Sequence, residues 1–468
     1  MNSKFAAIAA VAVLIAAGGA ALFIISDKND DSKERAMLDD TLDVFGNANG
    51  DWTIDQDDIS LIEKIIDTGS SDDESDDIDW QKDYPFADAD HDGEITQADI
   101  NQTEALINGT AAYVNMNDGI GGFKHIGCNP GRIAVDQIQI CEYISIMGQK
   151  DKVVCGDYPA SILGNSFYFD QKIESYGSNS SPDYEKLESM DVDLYLTFYT
   201  SAYEEKATKL VNTDVVYLGL YLTDTLNLEK SSFVKAFLKG GYIFNDEDRS
   251  KEYVSWLLET RDKIKAISDR IDEDEKKNIL ITNYGSSYFS FPDTMNNVTV
   301  YADGDTLGQA SILAGAKLAA ESFSDYGKGN LSFKTDAEWL GLQDIDYIFM
   351  HSVRLQGNGK TIEYVPDQGY TVDNWAQFRE VQEDVSKLKY VQMAGADPEN
   401  VYLLAGDFRN NASSGLLLAA HLVKILYPEE CSDFDPYEIH QEYMEWMGKG
   451  DYDITSHGTF IVPPYAEY

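Results

Sequence analysis

Basic side chains are scarce. Lys and Arg number 36 against 82 Asp and Glu in 468 residues, a formal charge of −46. So acidic a chain has no general phosphate-neutralising face for nucleic acid, which needs clustered Lys and Arg. Cysteine is scarcer still, at four residues. That excludes a disulfide-framework mini-protein, and no CxxC pair or Cys/His cluster marks a zinc or iron–sulfur site. The six histidines are scattered, Ser286-Ser287 has no evident histidine partner, and Gly304 and Gly308 form no phosphate loop. No nucleophile or acid–base set emerges, so the expectation is a protein that is not an enzyme, with no catalytic residues. Hydrophobic content of 43% with 12% aromatic is enough for real cores, and the length suits about two to four domains.

From Phe5 to Ile25 the chain carries no charge, with Lys4 before the run and Asp27, Lys28 and Asp30 after it. At about 1.5 Å per residue that run spans a bilayer core. Residues 1–30 are therefore expected to hold an N-terminal transmembrane helix, a single anchor in the cell membrane. The positive flank is the short N-terminus, which leaves the bulk extracellular. A cleaved signal peptide is the competing reading. No cysteine follows the run, so it lacks a lipobox.

Residues 27–118 hold 27 acids against 5 bases, a density that needs its own explanation. Residues 47–58 read NANGDWTIDQDD and residues 88–99 read DADHDGEITQAD. Loop positions 1, 3, 5, 9 and 12 carry Asn47, Asn49, Asp51, Asp55 and Asp58, then Asp88, Asp90, Asp92, Thr96 and Asp99. Position 7, Thr53 or Glu94, offers a backbone carbonyl, and Ile54 or Ile95 at position 8 packs inward. Calcium wants six to eight oxygens, and this spacing turns them toward one point. Gly93 supports the sharp turn at position 6 of the second loop; Trp52 makes the first loop the weaker of two Ca2+ sites. A helical pattern follows each loop: Ile59, Leu61, Ile62, Ile65 and Ile66, then Ile100, Ala105, Leu106 and Ile107. Loop plus helix, twice, with Asp at position 12, resembles a dockerin module over about residues 40–112. The resemblance implies Ca2+ binding and a cohesin-type protein partner. The acidic insert Thr68–Asp79 departs from that family by spacing the repeats widely.

Past the glycine-rich joint Asn117–Gly122 the pattern changes. Short apolar runs recur at Arg132–Ile140 or its first part, Val153–Cys155, Leu194–Phe198, Val215–Leu220, Ile279–Thr282, Val298–Tyr301, Tyr347–Met350 and Val401–Ala405. Helix-length stretches between many of them predict parallel sheets covered on both faces. One long helix is predicted over Asp248–Ile271, with Val254, Leu257, Leu258, Arg261, Ile264, Ile267 and Ile271 on one face. On either side of it a unit repeats: Glu185–Asp193 before Leu194-Tyr195-Leu196-Thr197, and Glu338–Asp346 before Tyr347-Ile348-Phe349-Met350. Both read E-x-L-x-x-x-D-x-D before a strand, which predicts two pseudo-symmetric lobes.

In its order of elements, residues 124–448 resemble the class III substrate-binding proteins of ABC importers. The order runs from Arg132-Ile133-Ala134-Val135, through the helix–strand after Pro182 and the long helix, to Val401-Tyr402-Leu403-Leu404 and the helix Leu416–Leu426. The resemblance implies capture of a metal chelate (ferric siderophore, haem or corrinoid) and delivery to an ABC permease, docked through Glu185 and Glu338. The alternative is a cell-surface interaction protein whose α/β module binds a protein or glycan. The departures are the Tyr284–Asn297 segment and the insert Gly357–Tyr370. The expected fold class is α/β: two Rossmann-like lobes joined by a single long helix, plus a small α-helical dockerin-like module and the N-terminal transmembrane helix. The expected domains are 1–30, 31–118 and 119–468, with an N-lobe of about 124–245, a spanning helix of about 246–272 and a C-lobe of about 277–468.

In open parallel sheets the ligand crevice lies beyond the carboxyl ends of the strands. That rule selects Tyr158, Tyr199, Tyr221, Tyr284, His351, Arg354 and Arg409 as ligand contacts. The tyrosines suit a flat or bulky ligand, and the two arginines suit an anionic chelate. Outside the cell Cys128, Cys141, Cys155 and Cys431 allow up to two disulfides, in three connectivities. Sequons occur at Asn101, Asn108, Asn179, Asn297, Asn330 and Asn411.

Overall fold

The computed structural model describes residues 41–69, 80–220, 224–284, 296–351, 356–357, 360–361, 368–373 and 375–465. The expected transmembrane helix of residues 1–30 lies outside them. No helix among the described residues is long and apolar enough to cross a membrane.

Each acidic loop is followed by a helix, α1 (Gln56–Gly69) and α2 (Gln97–Ile107). Their apolar stripes meet: Ile59, Ile62 and Ile65 pack with Ala48, Ala87 and Ile100. Strands β1 (Tyr113–Asn117) and β2 (Phe123–Gly127) then pair antiparallel. The glycine-rich joint is the turn of that hairpin, so the expected boundary at 118/119 falls inside one element. Asp118 is buried in the turn; its carboxylate accepts from the Ile120 and Gly122 N–H groups and from the Tyr203 hydroxyl at 2.6 Å. Those bonds, with Gly119 N–H on the Tyr217 carbonyl, pin the joint to the helix Tyr203–Lys209 and the strand Asp214–Tyr217.

Two five-stranded sheets come next. The first has order β5-β4-β3-β6-β7, from β3 (Ile133–Val135), β4 (Val153–Gly156), β5 (Glu174–Ser175), β6 (Leu194–Thr197) and β7 (Asp214–Tyr217), all parallel. Helix α3 (Gln137–Ile146) follows β3 and is buried nearly all round, while α4 (Tyr184–Ser189) precedes β6. Helix α5 (Ser232–Phe244) is apolar on most faces and ends at Asn245, whose φ of +50° turns the chain back. Gly240 lets it press on α3, since a Cβ there would sit 2.1 Å from the Tyr143 hydroxyl.

Helix α6 (Glu247–Ser268) is the long helix anticipated from the apolar spacing. The Asp246 carboxylate caps it by accepting from Arg249 N–H, and Glu247 and Asp248 fill its first turn, as the helix dipole favours. Its 22 residues run about 33 Å, with Tyr253, Val254, Leu257, Ile264 and Ile267 buried.

The second sheet has order β9-β8-β10-β11-β12, from β8 (Asn278–Asn283), β9 (Lys317–Leu318), β10 (Tyr347–His351), β11 (Val401–Leu404) and β12 (Ile461–Val462). Only the edge strand β12 is antiparallel. The run at Val298–Tyr301 does form a strand, Asn296–Tyr301, but it pairs antiparallel with Ser332–Asp336 outside the main sheet. Helix α7 (Ala337–Leu340) precedes β10; α8 (Ala412–Leu426) and α9 (Pro436–Trp446) lie between β11 and β12.

The repeated unit has the same job in both sheets. Asp193 Oδ2 accepts from Gly131 and Arg132 N–H at 2.8 and 2.9 Å, and Asp346 Oδ2 accepts from Asn278 N–H at 2.8 Å. Each final Asp thus satisfies the opening of the adjacent strand. One contiguous set of buried side chains runs from Leu42 through both sheets to Val462.

Candidate functional site

The chemistry collects where the strands of both sheets end. In the first sheet, β3 runs into Asp136, which is fully buried and accepts from Thr197 Oγ1 at 2.7 Å and from Phe198 N–H. Lys206, equally buried, lies 3.4 Å from it. Burial pushes Asp136 up and Lys206 down, each opposed by the attraction of the other. Beyond β4, Asp157 accepts from the Gln137 backbone and side-chain amides and from Ala160 N–H. Burial and then the nearby Asp136 raise its carboxyl to about 7. These bonds hold Gln137 at φ +60°, a strained position for a side chain of its kind.

In the second sheet, Tyr284 is fully buried and donates to Gln368 Oε1 at 3.0 Å. His351 is buried, with Nε2 2.6 Å from the Tyr301 hydroxyl. Arg409 gives both Nε and Nη2 to Asp305 Oδ2, at 2.8 and 2.5 Å, and lies 4.8 Å over the Tyr301 ring. Its side chain is 37% exposed while that of Asp305 is 3% exposed. The structure therefore brings His351 and Arg409 together on Tyr301, with Tyr284 beside them through its backbone N–H on the His351 carbonyl. Two of them are wall: Tyr284 and His351 bury their polar ends against protein partners. Arg409 is half-open and pairs with the buried Asp305 carboxylate.

On the first lobe Tyr158 is 55% exposed just past β4, and Tyr199 is half-buried with its ring on Phe198. Tyr221 and Arg354 lie outside the described residues.

Aromatic and charged contacts join the lobes. Phe167, at the end of the π-helical segment Ala160–Tyr168, stacks on Tyr370 at 4.6 Å and meets Tyr452 edge-on. Asp170 pairs with Lys150 of its own lobe and Lys449 of the other, at 2.7 and 3.0 Å. Deeper in, Glu142 of α3 is buried beside Asn411 and Asp407, with Oε1 lacking a hydrogen-bond partner. Burial first, then Asp407, lifts it to about 8, against a hydrogen bond with Asn411 that lowers it. Tyr370, Phe167, Glu142 and Tyr301 are absent from the residues that the strand-end rule selects. Only Tyr370 carries a signal in the sequence, as the end of the polar insert.

Glu185 and Glu338 occupy matched positions. Each is the second residue of a short helix capped by an Asp, Asp183 before α4 and Asp336 before α7, and each is exposed.

The acidic loops also match each other. Asp58 and Asp99, at position 12, are fully buried. Asp58 accepts from Asn49 and Asp55 N–H at 3.0 and 2.8 Å; Asp99 accepts from Asp90 and Thr96 N–H at 3.1 and 2.7 Å. Burial is the main cause that raises both to about 6, against those N–H bonds, and neighbouring carboxylates add to it. Oxygens of Asp88, Asp90 and Asp99 lie within 4.8 Å of one another. Asn47 is fully buried and its Oδ1 has no hydrogen-bond partner, while its Nδ2 donates to the Leu42 and Asp51 carbonyls. A converging carboxylate set in one loop and an orphaned amide oxygen in the other suit a hard cation. Asp51, Thr53, Asp55, Asp92 and Glu94 ring the loops, and the Asp51 and Asp92 carboxylates accept from Thr53 and Glu94 N–H. Thr96 Oγ1 caps α2 by accepting from Ala98 N–H.

The cysteines form no disulfide: all four are free, and three are buried. Burial lifts the Cys128 and Cys155 thiols to about 12. The sequon at Asn411 is also structural, since its buried side chain caps α8 by accepting from Ser414 N–H.

No family model matches the chain, and no curated protein matches it. Solved structures do. The TroA-like periplasmic binding protein FepB of Veillonella parvula is 12% identical, with a TM-score of 0.56 over 74% of this chain and 99% of its own. The molybdate periplasmic binding protein MolA of Haemophilus influenzae, solved with molybdate, is 15% identical, with a TM-score of 0.51 over 71% of this chain and 97% of its own. At this identity the likeness speaks for architecture, and the chain has the mixed α/β fold of TroA-type periplasmic binding proteins.

Proposed function

We propose that this protein is the extracytoplasmic solute-binding component of an ABC importer, capturing a metal chelate and passing it to a permease. The observation that carries the reading is the pair of sheets joined by α6, with strand ends, aromatic rings and the Phe167–Tyr370 contact collected between the lobes. Such a cleft binds by closing on a guest, and a stiff joining helix keeps the closure small. Tyr158, Tyr199 and Arg409 are the contacts we assign to the ligand; Tyr284 and His351 build the wall behind them. The protein performs no chemistry on its cargo in this reading. Glu185 and Glu338, exposed at matched helix starts, are the two docking points for arginines of the permease. Ca2+ fills the two acidic loops, held by Asp88, Asp90, Asp92, Glu94, Thr96 and Asp99 in one and by Asn47, Asn49, Asp51, Thr53, Asp55 and Asp58 in the other. In the second loop Gly93, at φ +96°, makes the turn that the chelating geometry needs.

Native mass spectrometry of freshly purified protein tests the cargo. A co-purified ferric or cobalt chelate, rebinding at micromolar affinity or tighter by calorimetry, is the expected result. Failure of a panel of ferric siderophores, haem and corrinoids to bind would overturn the chelate reading. Glu185→Arg with Glu338→Arg should abolish uptake in cells and leave solution affinity intact.

A further inference from the structure

The acidic-loop module does not hang from the lobe by a tether. Helix α5 is the plate between them. On the module side Lys239, itself buried, pairs with Asp43 at 2.8 Å and donates to the Asn117 carbonyl at 2.7 Å. Asn245 Nδ2 donates to the Ala111 carbonyl at 3.0 Å. Leu42, Val44, Ile54 and Leu106 belong to the same core as the two sheets.

One contact reaches into the first loop itself. Ile54 N–H donates to the Tyr242 hydroxyl at 3.1 Å. Tyr242 stands at the α5–α6 corner, where the Gly241 carbonyl accepts from Asp246 N–H at 2.8 Å; burial and then the charge of Glu247, the first residue of α6, raise the Tyr242 hydroxyl. Glu247 also pairs with Lys251 one turn on, at 3.0 Å. Ile54 stands at loop position 8, and its N–H shares one planar peptide group with the Thr53 carbonyl at position 7. A cation that takes that carbonyl fixes the whole peptide plane and strengthens the N–H as a donor on its far side. The bond therefore lies in series: loop cation, Thr53–Ile54 peptide, Tyr242 hydroxyl, the α5–α6 corner at Glu247, start of the helix that joins the lobes.

We infer that the first acidic loop is a calcium-operated brace on α6: occupancy of the loop orders the start of the inter-lobe helix through Ile54, Tyr242 and Glu247. The inference rests on the proposed calcium binding and deepens it, since it makes the module a regulator of the receptor's own lobes. The faces of α5 and the β1–β2 hairpin used in this way are spent on the chain itself. A ligand can shift a conformational balance only through contacts that differ between the states, and the Ile54–Tyr242 bond supplies one.

Hydrogen exchange of the full chain, read by mass spectrometry in calcium and in chelator, tests this together with calcium calorimetry. At calcium about tenfold above its dissociation constant, peptides over 53–58 and over 243–254 should both slow by about tenfold. Tyr242→Phe removes only the hydroxyl. It should keep the slowing at 53–58 and lose it at 243–254. Should that variant melt early, Glu247→Ala cuts the same chain at its far end and should give the same split. Slowing at 53–58 alone in the wild type, or at both segments in either variant, overturns the brace while leaving calcium binding intact. Absence of any calcium heat and of slowing at both acidic loops overturns the calcium reading, and the brace with it.

Discussion

The two lobes begin alike and end differently. Each opens its sheet with the same device, a terminal Asp of the repeated unit holding the N–H of the neighbouring strand. At the other end of the strands the first lobe keeps a fully buried ion pair, Lys206 with Asp136, tied to Thr197. The second lobe places its ion pair, Arg409 with Asp305, where the guanidinium is 37% exposed, over an aromatic ring. The duplicated part is scaffold, and the divergent part lies at the carboxyl ends of the strands. Buried, an ion pair holds structure together; half-open, it can be approached by a guest.

Breaking the pairs one at a time is the strongest way to test that contrast. Lys206→Met should strand Asp136 in the interior and cost about 3–5 kcal/mol in denaturant unfolding. Arg409→Met also leaves a buried carboxylate, but Asp305 keeps the Leu307 N–H and opens to water where the guanidinium stood, so the cost should be smaller, about 1–2 kcal/mol. Similar losses from both would erase the distinction between a structural and an accessible pair.

Between the lobes, Glu142 sharpens it through pH. Its folded carboxyl sits at about 8 against 4.5 for the ordinary group. The folded state therefore holds a proton that the unfolded chain has released over that interval. The associated stability is fully present below pH 4.5 and is lost as pH rises through about 8. Glu142→Gln should flatten this fall and melt higher than the parent at pH 8, by a gain on the order of 2 kcal/mol. An unchanged pH profile would remove Glu142 as the source.

How legible each element is in the sequence depends on how it is buried. Parallel strands covered on both faces read as continuous apolar runs, so Leu194–Phe198, Ile279–Thr282 and Tyr347–Met350 all fall on strands. The amphipathic stripe of α6 is equally plain, because one of its faces meets solvent. Helix α3 is harder: buried nearly all round, it lacks that stripe, and the run Arg132–Ile140 contains both β3 and the start of α3. The β1–β2 hairpin reads as a joint because its glycines look flexible until Asp118 is seen to bind their backbone. Strand ends locate Tyr284, His351 and Arg409, but not that two are buried against protein partners and one is paired with Asp305. Asp136 with Lys206 and Phe167 with Tyr370 are each brought together across long stretches of chain, and nothing local announces such pairs.

A smaller effect tests whether the repeated unit is truly equivalent in the two lobes. Asp193→Ala leaves two backbone N–H groups without their acceptor and Asp346→Ala leaves one. At about 1 kcal/mol per lost bond the first should cost roughly 2 and the second roughly 1. Chemical denaturation at fixed pH reads both, and an inverted order would mean that the β8 opening leans on Asp346 more than its single bond implies.

The smallest expected change in stability concerns the exposed rim. Tyr158 is 55% open beyond β4, so Tyr158→Ala should move unfolding by no more than about 0.5 kcal/mol. Tyr284→Ala should cost several times more, because that ring is fully buried and its hydroxyl satisfies Gln368. Affinity for a bound chelate separates their roles in the opposite sense. On the proposed assignment, losing Tyr158 should weaken binding in a protein whose stability is unaltered, since the ring is exposed and packs on little else. If chelate affinity follows Tyr284 and ignores Tyr158, the guest sits deeper in the second lobe than the strand-end rule places it, and the first lobe serves mainly as the braced half against which the second one closes.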